Sequence, residues 1–399
     1  MNEDDIYAKS LVLHNYLFGV ELTDTVMLIT EDKKVYFLSN KKKIEFLQQV
    51  MDAEDKGNFT FDFKIRDKSD GNEGHYKKLM KVIASSSAND DGKVRVGVFS
   101  KEWDSNMDTV NVAGLQKAID DSDALETVDV GVGFGITLGV KDDEELDFIK
   151  KSSVLCNKVL KHGLVPRLEE VIDKEEKITH EALAEEIEAI YQDPSKINLK
   201  VPADQVSTAY FPIIQSGGEY DFRVSAVSNT KSLKYDVITV SLGSRYNNYC
   251  SNIARTFLVD PPKVVSDTYE LLLQVHEACL EVMVPGKPLK TVYATAVQKL
   301  TDAGREDLVK CLPKNLGFST GAYFREGSLA LSEKNNITFK AGMTFNLAIG
   351  LSGIPLSEAD RNDTNDASGV SIHRRLFVSW YTCVLTFFFS FHLADQGFE

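Results

Sequence analysis

An α/β lobe followed by an α+β domain is the fold class this sequence predicts, and three observations carry it. Through the first third, short β-branched and aromatic runs alternate with helical stretches. From Pro202 onward, hairpin patterns alternate with a pair of long amphipathic helices. Between the two lies a charged stretch, residues 141–147, where the hydrophobic pattern breaks. The predicted division is an N-terminal α/β lobe over residues 1–140, an α+β domain over 141–353 with helices on one face of a curved sheet, and an atypical tail over 354–399.

In the lobe, residues 25–30, 35–39, 59–65 and 94–99 read as strands, and residues 40–52 and about 75–84 as helices. Gly131, Gly133, Gly135 and Gly139 invite a dinucleotide-binding reading, but the G-x-G-x-x-G spacing fails because Ile136 stands where the third glycine is needed. After the charged break, Leu146, Ile149, Ser153, Cys156 and Leu160 recur at helical spacing. Thr179 suits an N-cap for a helix running to residue 191. Leu183, Ile187 and Ile190 would line its inner face, and Glu181, Glu185, Glu186 and Glu188 a solvated outer one. Residues 237–242 and 249–258 flank a turn-rich segment and read as a hairpin. Two helices come next, about 266–284, stopped by Pro285-Gly286, and about 289–303, capped by Gly304. Strands return within 317–331 and 343–351. The tail opens with a polar stretch, residues 357–371, and continues into the uncharged run 376–391. That run is shorter than the roughly 18–20 apolar residues that cross a bilayer, so no membrane anchor is expected.

Composition narrows the function. The chain of 399 residues is 43% hydrophobic and 26% charged, enough to bury two cores. A net charge of −15 repels polyanionic nucleic acid and makes basic proteins the natural partners. Acidity kept for solubility alone is the plainer alternative. Cys156, Cys250, Cys279, Cys311 and Cys383 are isolated, with no C-x-x-C pair, as expected of reduced thiols in an intracellular compartment. Residues 1–5 are acidic with no apolar stretch behind them, so no signal peptide is expected. His14, His75, His162, His180 and His276 are scattered and read as surface or packing residues.

Five segments carry a resemblance: FGVELTDT from Phe18, YFPIIQSGGEYDF from Tyr210, YCSNIARTFLVDP from Tyr249, KNLGFSTG from Lys314 and FREGSL from Phe324. Over roughly residues 5–350 the chain resembles the pita-bread fold of methionine aminopeptidase, prolidase and creatinase, and within it the large-subunit family of the histone chaperone FACT. The resemblance implies a creatinase-like lobe and a pita-bread domain. Peptidases of this fold hold two divalent metals with carboxylates and one imidazole. At the positions matching those ligands this chain carries Ser241, Asn252, Phe318 and Ala348, and a substrate-steadying histidine aligns with Arg325. Serine and asparagine are weak neutral ligands, and phenylalanine and alanine offer no lone pair. The resemblance therefore implies no metal, no cofactor and no catalysis. Arg325 and Glu326 become candidates for a partner pocket, either paired with each other or with Arg325 receiving an acidic or carbonyl group of a peptide.

The family resemblance further implies a nuclear, chromosome-associated protein that binds core histones or nucleosomes beside a smaller FACT subunit. It would act in chromatin reorganisation during transcription, replication and repair, without sequence-specific DNA binding. The chain begins short of the family's opening strand and departs from the pattern after about Leu351. The strand bearing the fifth ligand is not found, so the C-terminal closure of the sheet is expected to be missing. Residues 372–399 would then leave an open edge prone to self-association. Two alternatives remain, another inactive pita-bread adaptor or RNA-binding protein, and an active metallo-aminopeptidase. Gly317–Gly321 also satisfies G-x-S-x-G, but the serine of a hydrolase elbow needs a helix directly after it, and residues 322–331 read as turn and strand.

Overall fold

The computed structural model describes residues 8–53, 58–103, 113–218, 220–223, 225–235, 237–354, 376–385 and 390–392. The chain divides into two compact units, Met1–Phe134 and Gly135–Glu399.

The first unit runs α1 (Lys9–Phe18), β1 (Val26–Ile29), β2 (Lys34–Ser39), α2 (Lys41–Ala53), β3 (Thr60–Ile65), α3 (Glu73–Ala84), β4 (Val94–Val98), α4 (Ser100–Trp103), α5 (Ala113–Asp120) and β5 (Leu125–Asp129), and α6 (Gly131–Gly139) straddles the division. β1 is antiparallel to β2, β2 is parallel to β3, and β4 is parallel to β5. The alternation of Val94, Val96 and Val98 buries one face of β4 against Leu79, Ile83, Leu115 and Ile119 of the helices. Phe37 of β2 stacks on Phe63 and Phe61 of β3, with centroids 5.5 and 6.5 Å apart. The glycine-rich segment forms a helix, which glycine content argues against. Packing explains it: a Cβ at Gly139 would lie 2.8 Å from Leu329, and one at Gly135 2.6 Å from Glu326 and Ser328. Both contacts lie within the second unit, where these glycines let the end of the helix approach β10 closely.

The second unit opens with α7 (Asp143–Lys158), which passes through a π-type segment (Val159–Leu164) into α8 (Val165–Asp173). Asp142 and Glu145 form a reciprocal capping box at its start. Ser152, not Ser153, is the serine turned inward, donating to the Ser244 carbonyl at 2.9 Å. Thr179 caps α9 (His180–Gln192) by accepting from the Ala182 amide at 3.1 Å, as its position predicts. Then come β6 (Val206–Gln215), β7 (Val237–Tyr246), β8 (Tyr249–Leu258), α10 (Lys263–Val282), α11 (Lys290–Asp302), β9 (Asn315–Ser319), β10 (Glu326–Ser332), β11 (Thr344–Leu351), β12 (Leu376–Leu385) and β13 (Ser390–His392). β7 runs on to Tyr246, so the hairpin turn is only Asn247-Asn248, both with positive φ (44° and 69°). Gly243 belongs to the strand because the Tyr210 ring lies where its Cβ would be, 2.4 Å away.

The sheet order is β10-β9-β11-β12-β8-β7-β6, with β13 beside β12. This corrects the expectation that the closing strand is missing. β12 pairs along the whole of β11, from Thr344↔Val384 to Leu351↔Leu376, and meets β8 at Trp380↔Ala254. Much of the uncharged run is therefore a central strand, and no open edge is left there. The polar stretch 357–371 lies outside the described residues.

Two cores lie on one side of this sheet. Leu272, Val275 and Cys279 of α10 and Val292, Ala296 and Leu300 of α11 pack on Leu316, Phe345, Leu347 and Ile349. Leu155, Val159, Leu183 and Ile187 pack on Ile214, Ile238, Val240, Leu242 and Ile253. Since side chains alternate along a strand, Ser241, Asn252, Asn346 and Ala348 fall on the opposite face. Among the described residues no helix is long and apolar enough to cross a membrane.

Candidate functional site

Strand register gathers the four candidate ligand positions onto that face. One row crosses the sheet through Ala348, Trp380, Ala254 and Ser241, and the next through Phe318, Asn346 and Thr382. Asn252 sits two residues from Ala254 on the same face of β8. Asn252, Phe318 and Ala348 are buried, and Ser241 is half-buried.

A ladder of rings fills the space above them. The Tyr210 hydroxyl shares a 2.6 Å hydrogen bond with Ser241 Oγ. Its ring packs on Phe324 at 5.2 Å, and Phe324 meets Phe318 edge-on at 5.5 Å and 72°. The Arg325 guanidinium lies 5.5 Å over the Phe318 ring. Burial holds the Tyr210 phenol well above its ordinary pKa, against the opposing hydrogen bond with Ser241, so it stays neutral.

The two neighbours proposed for a partner pocket, Arg325 and Glu326, differ in their surroundings. Arg325 is exposed, whereas Glu326 is buried and accepts from the Ser328 amide at 3.0 Å and its hydroxyl at 2.5 Å. The cation facing Glu326 is Lys141. Its ammonium donates to the Leu138 carbonyl, and its side chain passes where a Cβ on Gly321 would be, 2.4 Å from Cε. Burial pulls Lys141 down to about 8, against the attraction of Glu145, Glu326 and Asp142.

These residues do not fit a dimetal centre. Bridging carboxylates are what offset two dications in a partly buried pocket, and the four positions supply none. β12, the strand expected to carry the fifth ligand, reads LFVSWYTCVL and contains no carboxylate at any register. Two amides stand where charge would be: Asn252, buried beside the Tyr210 phenol, and Asn346, both of whose polar atoms are buried without a hydrogen-bond partner among the described residues. No three His, Cys, Asp or Glu side chains converge among the described residues. Ser319 of the G-x-S-x-G match is buried and leads into a turn and β10, not a helix. Of the other histidines, His180 is buried and bridged to Asn229 Oδ1 and Ser216 Oγ, each at 2.8 Å, a packing role. Cys156 and Cys279 are buried, and burial raises their thiols to about 11 and about 12, which leaves them unreactive.

Sequence reasoning missed Tyr210, Phe324 and Lys141. Tyr210 and Phe324 stand in segments that carry the resemblance, but nothing local says that their rings meet Phe318.

Residues 1–133 match the family described as the FACT complex subunit SPT16 N-terminal lobe domain, and residues 147–379 match metallopeptidase family M24. The FACT complex subunit SPT16 of Dictyostelium discoideum is 36% identical over 358 residues, 88% of this chain and 32% of that protein. The chain thus spans about a third of the length of the curated relatives it matches. Among solved structures, the N-terminal domain of SPT16 from chickpea superposes with a TM-score of 0.87 at 32% identity, covering 98% of this chain and 88% of that one. The X-Pro aminopeptidase of Thermotoga maritima superposes at a TM-score of 0.66 with 15% identity, covering 98% and 94%, a likeness of fold alone.

Proposed function

The chain belongs to the FACT complex subunit SPT16 family, and from that premise we propose that it is a non-enzymatic binding region for basic nucleosomal proteins. The observation that supports this reading is the Tyr210–Phe324–Phe318 ladder, which lies among the positions that the resemblance aligns with the metal ligands of the peptidases. A fold kept without its ligands is a fold kept for its surface. In this reading the chain works in the nucleus on chromatin, alongside the smaller FACT subunit. Core histones are its partners during transcription, replication and repair. The net charge of −15 supplies long-range attraction for such partners.

Two measurements test this. Binding to purified core histones should be detectable at low salt and weaken as salt rises, because exposed charges are screened over about 8–10 Å at physiological ionic strength. Absent binding at low salt, or binding indifferent to salt, sinks the reading. After dialysis against manganese or cobalt the chain should retain no stoichiometric metal and turn over neither Met-Pro nor X-Pro peptides. Metal retained one to one and lost on changing Asn252 and Ser241 would show an enzyme instead.

A further inference from the structure

Away from the vestigial pocket, α7 and the β7–β8 hairpin build a second feature that the ring ladder does not involve. Phe148 of α7 packs on Tyr246 and Tyr249, the two residues paired across the Asn247-Asn248 turn, at 6.1 and 5.6 Å. The Tyr246 ring is held in place by its hydroxyl, which donates to Gln205 Oε1 at 2.7 Å. Tyr249 is buried beside Glu145, and its hydroxyl helps to hold that carboxylate. Phe148 and Tyr246 stay half-buried, so each keeps part of its surface open to solvent.

One ammonium already sits on these rings. Lys151 Nζ lies 5.4 Å from the Tyr246 centroid and 5.9 Å from that of Phe148, and Asp147 holds it at 2.7 Å. Two aromatic faces and a carboxylate around one ammonium are the chemistry by which proteins recognise lysine and N-methylated lysine. Here the occupant is local, carried on the same helix, with both Lys151 and Asp147 about half exposed at 48% and 54%. An exposed pair of that kind is held weakly and exchanges readily with a competitor. The rim is acidic: Asp142, Asp143, Glu144 and Asp147 all lie at the start and on the first turns of α7.

We propose that Phe148, Tyr246 and Asp147 form a self-occupied ammonium cage, from which a lysine side chain of a basic protein displaces Lys151. The proposal rests on the reading of the chain as a binder of basic proteins and gives that reading a contact residue by residue. Lys151 acts as a placeholder: it keeps the rings covered until a partner with many lysines competes for them. Tyr249 takes part only as the wall behind Phe148.

The test uses the whole chain and two probes, an alternating lysine–alanine peptide and tetramethylammonium chloride. Lys151→Ala vacates the cage and should strengthen peptide binding about fivefold, the worth of a partly exposed cation–π contact. Lys150→Ala changes the net charge equally from an exposed neighbouring position, and should give a clearly smaller gain. In the Lys151→Ala background, Tyr246→Leu should remove the gain, whereas Tyr246→Phe, which keeps the ring, should retain it. Saturation transfer from the protein to tetramethylammonium should appear with Lys151→Ala and vanish when Tyr246→Leu is added. Equal gains from Lys150→Ala and Lys151→Ala, or no transfer to tetramethylammonium, would overturn the cage. Histone binding untouched by these variants would leave the proposed function standing without it. Transfer to tetramethylammonium with no histone binding would do the reverse.

Discussion

At position 318 an aromatic ring lies opposite Asn346 across the strand pair, edge-on to Phe324 and under the Arg325 guanidinium. Phe318→Ala should cost about 3–5 kcal/mol, the usual range for truncating a buried aromatic, read as a lowered urea midpoint. Phe318→His should also lose stability yet retain no manganese after dialysis, since one imidazole without carboxylates cannot hold a dication. Ser241→Asp alone should fail for the same reason. A second residue-scale prediction concerns His14, which is 5% exposed with Nδ1 unpartnered. Burial first, and then the nearby Lys43, lowers its pKa to about 4 from 6.5. The folded chain resists protonation there and the unfolded chain does not, so the unfolded state binds more protons between those two values. Stability is therefore full above about 6.5, falls as pH drops towards about 4, and loses nothing more from this group below that. The full loss is up to about 3 kcal/mol. Compared with His14→Leu, the wild-type chain should lose more stability between pH 7 and pH 4.5. Parallel losses in the two would refute the assignment.

Gly317 shows the same logic at the scale of a strand. Its φ of +136° is reserved for glycine, and a Cβ there would lie 1.9 Å from the Asn346 carbonyl oxygen of β11. β9 and β11 can pair closely at this point only without a side chain. Gly317→Ala should destabilise by about 3 kcal/mol or more and lower the melting temperature of the second unit. A melting temperature unchanged by that substitution would show that the strands can separate locally at no cost. Legibility at this scale was uneven, for physical reasons. The α10–α11 pair and the capped start of α9 were readable because caps and helical periodicity are local signals. The extent of β7 was not, because Gly243 and Ser244 look like turn residues until Tyr210 and Ser152 are packed against them. The helix over 131–139 was hidden because its glycines serve close approach, which a propensity scale counts only as a loss.

Across the second unit, β12 joins two half-sheets, β10-β9-β11 on one side and β8-β7-β6 on the other. Each half carries its own helical cover and its own core. Ending the chain at Ser371 would remove the strand between them and expose the backbone edges of β11 and β8. The truncated chain should be less soluble and more readily cleaved by protease than the full one. It should also melt at a lower temperature, by thermal scan at matched concentration. An equal or higher melting temperature would show that the halves close without the strand.

The sequence by itself determined what chemistry is absent. Ligand character belongs to the residue type, so if Ser241, Asn252, Phe318 and Ala348 stand at the ligand positions, as the resemblance implies, those positions supply no carboxylate and no imidazole, and β12 adds no carboxylate. It also determined the family, through long segments that need no folding to be compared. Tertiary structure alone decided what stands in the emptied place. Tyr210, Phe318 and Phe324 come from three separate segments, and their contacts arise only when strand register and the turn after β9 bring them to one face. The same holds for β12, since an uncharged run carries no period that marks it as a central strand. Its place is set by the unpaired backbone edges of β11 and β8, which are far away in sequence and adjacent only in the fold.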